Sequence, residues 1–354
     1  MQGGKHILFF MPESQGGGGA ERMTLTYAGF AKEKGFNTEV AVVGRTDAGV
    51  KAMSEGEFPV SLIKVQNIWA LGVIKMFRKI KSIRPEIVFS SFHYLNSRLI
   101  LAAKLSGNTR VVVRSENALK SVNWITRWLV KKTYVLADVV IVQTEEMREE
   151  LLKFCKKIPQ EKVKVFYNPI CAKRIEDKLG NADSPYSKGS VNIVTVTRFS
   201  KQKGLDFLVR AFAKIHQCAP DVVLNIVGGY SDNDPIKREL DQLIFEHSLQ
   251  ENIVFWGFQT NPYPFVKYAN CFVLSSRWEG LPNALIEAQY LCVPSVSTDC
   301  IPSISRIIQN GVTGYIVPVN DSDAFAKAVI NTLTMDRIAC IYRGTTAEEF
   351  CAIL

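Results

Sequence analysis

The chain has 354 residues, 47% of them hydrophobic and 22% charged, with a formal net charge of +9. These fractions are ordinary for a globular protein and exclude a disordered or fibrous chain; the length exceeds what one core commonly fills, so two domains are expected. No run of about eighteen apolar residues predicts a spanning helix, and the opening MQGGKHILFFMPES lacks the long apolar segment and small-residue cleavage site of a signal peptide.

HILFFM reads as a short buried strand, followed by four consecutive glycines in QGGGGAERMT, residues 15–24. So bare a backbone suits either an anion approaching main-chain N–H groups ahead of a helix, or a flexible surface turn. AERMTLTYAGFAKEKG is an amphipathic helix ending at Gly35, and NTEVAVVG, EIVFSSF, RVVVRS and ADVVIVQT are further strands. The helix EEMREELLKFC and the strand KVKVFYNP follow. Short apolar runs alternating with helical patterns predict a parallel sheet covered on both faces.

A polar stretch, KRIEDKLGNADSPYSKGS at 173–190, reads as a linker. The alternation then restarts with VNIVTVTR, LDFLVRAFAKIHQ, VVLNIVGG, PIKRELDQLIFEHSL and IVFWGF. ANCFVLSS, NALIEAQYL, PSVSTD, GYIVPV and DAFAKAVINTLTMDRI complete it. The expected organisation is a first α/β domain over 1–172, the linker, and a second over 191–335. The tail 336–354 is a candidate to return to the first domain. Both domains read as open Rossmann-type sheets, which bind ligands beyond the C-terminal ends of their strands.

The charge is uneven: residues 1–170 carry 26 Lys and Arg against 15 Asp and Glu, and the remainder 17 against 19. A basic first half points to an anionic partner, whether nucleic acid, membrane surface or phosphorylated acceptor. The eight cysteines are scattered without metal-ligand spacing, and with four histidines they predict reduced thiols of a cytoplasmic protein and no metal site.

Chemistry concentrates in two stretches. In VTVTRFSKQKGLDFL, Arg198 follows a strand directly and Lys203 precedes Gly204, which places a planar fork and a point charge at the mouth of one strand–helix turn. That pair suits a diphosphate; taken alone it also fits a charged loop. In SSRWEGLPNALIEAQYLCVPSVSTD, Glu279 lies in a strand–helix loop and Glu287 about one turn into the helix that Pro282 can start. A carboxylate accepts two hydrogen bonds in a plane and so suits adjacent sugar hydroxyls, and N–H groups near Leu281–Ala284 suit oxygen acceptors. Two glutamates at this spacing also fit a solvated helix face.

Together the two stretches resemble the retaining GT-B glycosyltransferases of family 4, whose hallmark is R-x-x-x-x-K followed later by E-x7-E. FYNPI, NIVGG, IVFWGF, EGLPNALIEA and NGVTGYIVPVND fit as well, and the resemblance spans the chain, strongest over 191–320. It implies two Rossmann-like domains with parallel sheets facing across a cleft and a nucleotide-sugar donor held mainly by the second. Arg198 and Lys203 would hold the diphosphate, Glu287 the ribose hydroxyls and Glu279 those of the sugar. Gly280, Leu281 and Asn283 would touch sugar or phosphate, and Phe258 would lie beside the base. Gly18 and Gly19 would close on the diphosphate from the first domain. Glu21, His93 and Asn96 would stand on the acceptor side, with His93 near the reacting sugar.

The implied reaction is transfer with retention, in which Arg198, Lys203 and helix N-termini stabilise the leaving diphosphate and no metal or cofactor is needed. DND, 232–234, reads as a turn rather than a metal motif. KMFRKIKSIRP and NWITRWLVKKTY mix cations with apolar residues at helical spacing, which fits either packing on the sheet or an anionic bilayer. Relatives with such segments build glycans on a polyprenyl diphosphate carrier, so the expected partners are a nucleotide sugar, a lipid-linked saccharide and an anionic membrane surface. A UDP-sugar is the expected donor. Nucleic acid is not an expected partner, because no recognisable RNA or DNA module is present.

Departures from the pattern are Gln289, Tyr290 and Cys292, where the family carries a small-residue run, and Arg306, where some relatives have a carboxylate. RGTTAEEFCAIL is a poor match to the family's C-terminal helix. A GT-B epimerase, a nucleic-acid-binding protein and a catalytically silent scaffold are the competing readings.

Overall fold

The computed structural model describes residues 4–13, 18–65, 71–119, 122–231 and 233–354. Gly16 and Gly17 of the glycine run, and Asp232 of DND, lie outside them. The chain divides into two compact units, one formed by Met1–Pro169 with Gly344–Leu354 and the other by Ile170–Arg343.

The first unit runs β1 (His6–Pro12), α1 (Gly19–Glu33), β2 (Asn37–Gly44), α2 (Ala48–Ser54), β3 (Val60–Lys64), α3 (Leu71–Ile83) and β4 (Ile87–Ser90). It continues with α4 (His93–Ser106), β5 (Arg110–Arg114), α5 (Trp124–Thr133), β6 (Val139–Val142), α6 (Glu145–Phe154) and β7 (Val163–Val165). All seven strands are parallel, in the order β3-β2-β1-β4-β5-β6-β7. Ile7 to Met11 of β1 are fully buried, so both faces of this strand are covered, as its place mid-sheet requires. Ile7 pairs with Thr38 of β2 on one side and Ile87 of β4 on the other.

The second unit begins with α7 (Ala172–Leu179), inside the stretch whose polarity predicts a linker; only Ile175 of that helix is buried. β8 (Val191–Val196), α8 (Leu205–Cys218), β9 (Val222–Val227), α9 (Pro235–Glu246), β10 (Ile253–Gly257) and α10 (Tyr263–Lys267) follow. β11 (Cys271–Leu274), α11 (Asn283–Tyr290), β12 (Ser295–Thr298), β13 (Gly314–Val317) and α12 (Ser322–Thr332) complete it. Its six parallel strands lie in the order β10-β9-β8-β11-β12-β13. Asp234, the last residue of DND, caps α9 by accepting the Ile236 N–H at 2.9 Å.

The chain then returns to the first unit, where α13 (Ala347–Cys351) opens with a capping box between Thr346 and Glu349. Phe350 is fully buried against Tyr27 and Phe89, at ring separations of 4.6 and 5.8 Å. RGTTAEEFCAIL, a poor match to the family's C-terminal helix, thus supplies an aromatic to the first core. Among the described residues no helix is long and apolar enough to cross a membrane.

Candidate active site

In each sheet the strand order reverses once, between β1 and β4 in the first unit and between β8 and β11 in the second. At such a switch point the loops leaving two neighbouring strands diverge to opposite faces and leave a crevice at the C-terminal edge. Arg198 and Lys203 follow β8, and Glu279, Gly280 and Leu281 follow β11. Gly18, Gly19 and Glu21 follow β1, and His93 follows β4. Every one of these residues therefore stands at a switch point.

In the second unit the two loops are bonded to each other. Lys201–Lys203 form one 3-10 turn, ended by Gly204 at φ +60°. A Cβ on Gly204 would stand 2.3 Å from the Ser275 carbonyl oxygen, so glycine is required both for its left-handed backbone and for its bareness. Ser275 Oγ donates to the Lys203 carbonyl at 2.8 Å, and the Arg277 N–H donates to the Gln202 carbonyl at 2.8 Å. The Arg277 guanidinium makes a bidentate pair with Asp206, at 3.0 and 2.6 Å, and also donates to the Lys201 carbonyl at 2.7 Å. Burial works to raise the Asp206 carboxyl, but hydrogen bonds and charge from Arg277 outweigh it and hold it below the usual value.

This framework brings the two sequence motifs into contact. Lys203 Nζ lies 2.6 Å from Glu279 Oε1, with side-chain exposures of 16% and 8%. Ser276 Oγ donates to the same oxygen at 2.6 Å, and Gln202 Nε2 reaches Oε2 at 3.4 Å and the Trp278 carbonyl at 2.8 Å. Cys300 is close by: burial, with the Glu279 charge adding to it, pushes its thiol up to about 12, so it stays protonated. Arg198 is exposed on the same edge, and Glu287 is the fifth residue of α11, half-buried. Asn283 opens that helix, whose N-terminus has no side-chain cap. Phe258, after Gly257 at φ +65°, is 62% exposed at the end of β10.

The departures at Gln289 and Cys292 have structural content. Gln289 is fully buried and donates to Ser295 Oγ at 3.0 Å and the Thr313 carbonyl at 3.1 Å, tying α11 to the strands beneath it. Cys292 adopts φ +60°, the left-handed conformation that glycine would take without strain.

The first unit's switch point is of another kind. Gly18 is the N-cap of α1, and a Cβ there would stand 1.9 Å from Glu21 Oε2, so the Glu21 side chain folds back over the glycine. His93, only 1% exposed, has both ring nitrogens engaged within the protein. Nε2 is 2.9 Å from the Asn117 carbonyl and Nδ1 is 3.1 Å from Tyr134 Oη. A carbonyl only accepts, so Nε2 carries the proton and the Tyr134 hydroxyl donates to Nδ1. Asn96 Nδ2 donates to Tyr134 Oη at 2.9 Å and to the Arg114 carbonyl at 2.8 Å. Burial, outweighing the bond to Asn117, lowers the His93 pKa to about 4, so the ring is neutral near pH 7. With both nitrogens committed inside the fold, His93 and Asn96 are placed to hold the loop after β5 rather than to bond a sugar directly.

The partners Asp206, Ser275, Ser276, Arg277 and Tyr134 carry no motif. Their only sequence signal is position: Ser275–Arg277 immediately follow a strand, and Asp206 sits in the first turn of a helix.

Two family models divide the chain between them. Residues 17–174 match Glycosyltransferase Family 4, and residues 182–345 match Glycosyl transferases group 1. The solved structure of Anabaena Alr3699/HepE, in complex with UDP and glucose, superposes with a TM-score of 0.76. It covers 99% of this chain and 94% of that one, at 19% identity. The fold is the GT-B fold of the group 1 and family 4 glycosyltransferases. In this GT-B chain the two Rossmann-like units are the two parallel sheets described above, of seven and six strands.

Among curated relatives, an uncharacterized glycosyltransferase of Methanocaldococcus jannaschii, MJ1059, is 32% identical over 257 residues. That alignment covers 66% of this chain and 61% of the relative, so less than two thirds of the relative's length is matched. The N-acetylgalactosamine-N,N'-diacetylbacillosaminyl-diphospho-undecaprenol 4-alpha-N-acetylgalactosaminyltransferase of Campylobacter jejuni is 26% identical over 274 residues. Here 74% of this chain and 72% of the relative are aligned.

Proposed function

We propose that the chain is a retaining glycosyltransferase that moves a hexose or N-acetylhexosamine from a UDP-sugar to a hydroxyl of a lipid-linked saccharide in glycan assembly. The observation that carries the reading is the 2.6 Å pair of Lys203 and Glu279, which joins the R-x4-K and E-x7-E motifs at one switch point. Lys203 has three N–H bonds and spends one on Glu279, which leaves two for oxygens of a diphosphate. Glu279 Oε1 already accepts from Lys203 and Ser276, while Oε2 retains capacity for a sugar hydroxyl. Arg198 adds a planar fork on the same edge. As the bond to the anomeric carbon breaks, negative charge grows on the leaving diphosphate, and these two cations are positioned to stabilise it without a metal.

Glu287 would take the ribose hydroxyls, and Gly280, Leu281 and Asn283 would border the sugar. Phe258 would flank the base, while Gly18, Gly19 and Glu21 would border the phosphates and acceptor. His93 and Asn96 act as positioning residues for the loop at Asn117. The relative acting on a diphospho-undecaprenol-linked saccharide supports a lipid-linked acceptor, and such an acceptor would put the enzyme at the cytoplasmic face of a membrane. The test is a thermal-shift screen with UDP, GDP, UDP-sugars and GDP-mannose, run with Arg198→Ala and Glu287→Ala alongside. A ligand that protects the wild type and neither variant supports the donor site. Protection that ignores both substitutions removes the reading.

A further inference from the structure

Arg114, the last residue of β5, is only 1% exposed, and among the described residues it is the largest side chain that is fully buried. Its guanidinium packs over the Tyr27 ring, 5.7 Å from the centroid, and donates from Nη2 to Asn168 Oδ1 at 2.6 Å. Nε and Nη1 have no hydrogen-bond partner, and no aspartate or glutamate among the described residues bonds to the group. Asn168 is buried too and is neutral, so it solvates the cation without cancelling its charge.

A buried lysine or carboxyl can shed its charge by titrating, but an arginine cannot. An ion held in the interior without a counter-charge is strongly unfavourable, and one well-made neutral hydrogen bond does not repair that. The charge is felt nearby, where it adds to burial in lowering the His93 pKa to about 4. The fork also has room to bind. A guanidinium presents five N–H bonds in one plane, and Asn168 takes one hydrogen of Nη2. Whichever hydrogen that is, the opposite edge keeps two parallel N–H bonds, from Nη2 with either Nε or Nη1.

A second donor stands beside it. Ser91 is fully buried and its Oγ has no partner. Phe89 pairs with Val112 and Ser90 with Val113, so continuing the register places Ser91 beside Arg114. Phe89 shares that face of the sheet, since its ring meets Tyr27 at 5.8 Å.

We infer that Arg114 and Ser91 hold a small monovalent inorganic anion, of chloride size, inside the first unit. Two parallel N–H bonds and a hydroxyl suit a spherical acceptor, and a single negative charge cancels a single positive one. Water could occupy the donors but would leave the charge uncompensated. The carboxylate or phosphate of a substrate cannot reach a group this enclosed. Because Arg114 also anchors Asn168 and its carbonyl accepts from Asn96, the ion would brace the ends of β4 and β5 and the loop after β7. The inference does not draw on the donor site, which lies in the other unit.

The experiment melts the full chain in sodium chloride, bromide and gluconate at matched ionic strength, and locates bromide by anomalous scattering in soaked crystals. Chloride and bromide should raise the melting temperature above gluconate, by about 3 °C for each tenfold increase beyond half-saturation. An anomalous peak should lie within hydrogen-bond distance of the Arg114 fork. Arg114→Met keeps most of the volume without the charge and should melt alike in all three salts, and Ser91→Ala should need several-fold more halide than wild type. Equal melting of the wild type in the three salts overturns the inference, as does a halide effect that survives in Arg114→Met. A bromide peak without halide-dependent stability means an adventitious ion only and also overturns it. Should Arg114→Met fail to fold, the wild-type melts, the bromide peak and Ser91→Ala decide.

Discussion

The two switch points occupy equivalent places in two similar sheets and are built from opposite materials. The one between β8 and β11 is ionic and near the surface: Lys203 with Glu279, Arg277 with Asp206, and Arg198 exposed. The one between β1 and β4 is built on a buried relay of uncharged side chains, from Asn96 to Tyr134 to His93 to the Asn117 carbonyl, with the buried Arg114 beside it. An ionic site keeps charge ready for a charged ligand at the cost of holding cations and anions in fixed geometry. A neutral relay orders a loop without presenting charge. On the proposed function, one unit would meet a diphosphate and the other would shape a surface for a hydroxyl-bearing acceptor.

The largest expected effect comes from the hinge of the ionic site. Gly204→Ala puts a side chain at φ +60°, with its Cβ 2.3 Å from the Ser275 carbonyl, so the two loops must separate. A loss of about 2–4 kcal/mol is expected in denaturant unfolding, together with loss of nucleotide binding. Gly35→Ala is the comparison, because Gly35 also has positive φ but nothing within 4 Å of the added carbon. It should cost only about 1–2 kcal/mol, the backbone term alone. Equal losses at the two positions would show that the loops are not locked as described.

The neutral relay is expected to fail with pH. His93 has its pKa lowered to about 4 against an ordinary 6.5, because burial disfavours its charged form. Below pH 6.5 the unfolded chain takes up a proton that the folded protein refuses until about pH 4, so stability falls across that window as pH is lowered. The slope for one proton is at most about 1.4 kcal/mol per pH unit. Urea unfolding between pH 7 and 4 should show this extra slope in the wild type. It should flatten in His93→Gln, which is somewhat less stable at pH 7 but has no proton to gain.

The strands and the charged motif residues were legible in the sequence, the contrast between the two switch points was not, and the reasons are physical. The buried strands announce themselves because a strand covered on both faces must be apolar throughout, as in HILFFM. Arg198, Lys203, Glu279 and Glu287 are legible because their spacing survives as a motif. The Arg277–Asp206 lock is not, since its members are 71 residues apart and meet only when β8 and β11 pair. His93 was visible but its partners were not: Tyr134 lies 41 residues away, so the sequence could not tell a ring aimed at substrate from one satisfied inside the fold. α7 was hidden because it buries only Ile175, leaving a composition indistinguishable from a linker.

The smallest effect separates the two switch points most sharply. The Asp206–Arg277 pair has side-chain exposures of 27% and 29%, so solvent screens it and Asp206→Asn should cost only about 1 kcal/mol near pH 7. Because Arg277 holds the Asp206 carboxyl below its ordinary value, the contribution is fully present above that ordinary value, about 4, and is lost as pH falls through the lowered folded value. The wild type and Asp206→Asn should therefore keep a constant difference from pH 7 to about 5 and converge only in stronger acid. His93 changes stability in the window above that, so the neutral relay weakens first as acid is added and the ionic lock last. Arg277 also donates to the Lys201 carbonyl, and its own N–H holds Gln202. Releasing Asp206 should thus raise the KM for donor a few-fold through a looser Lys203, with kcat less affected. A kcat loss as large as that of Lys203→Ala would instead place Asp206 in direct contact with the reacting groups.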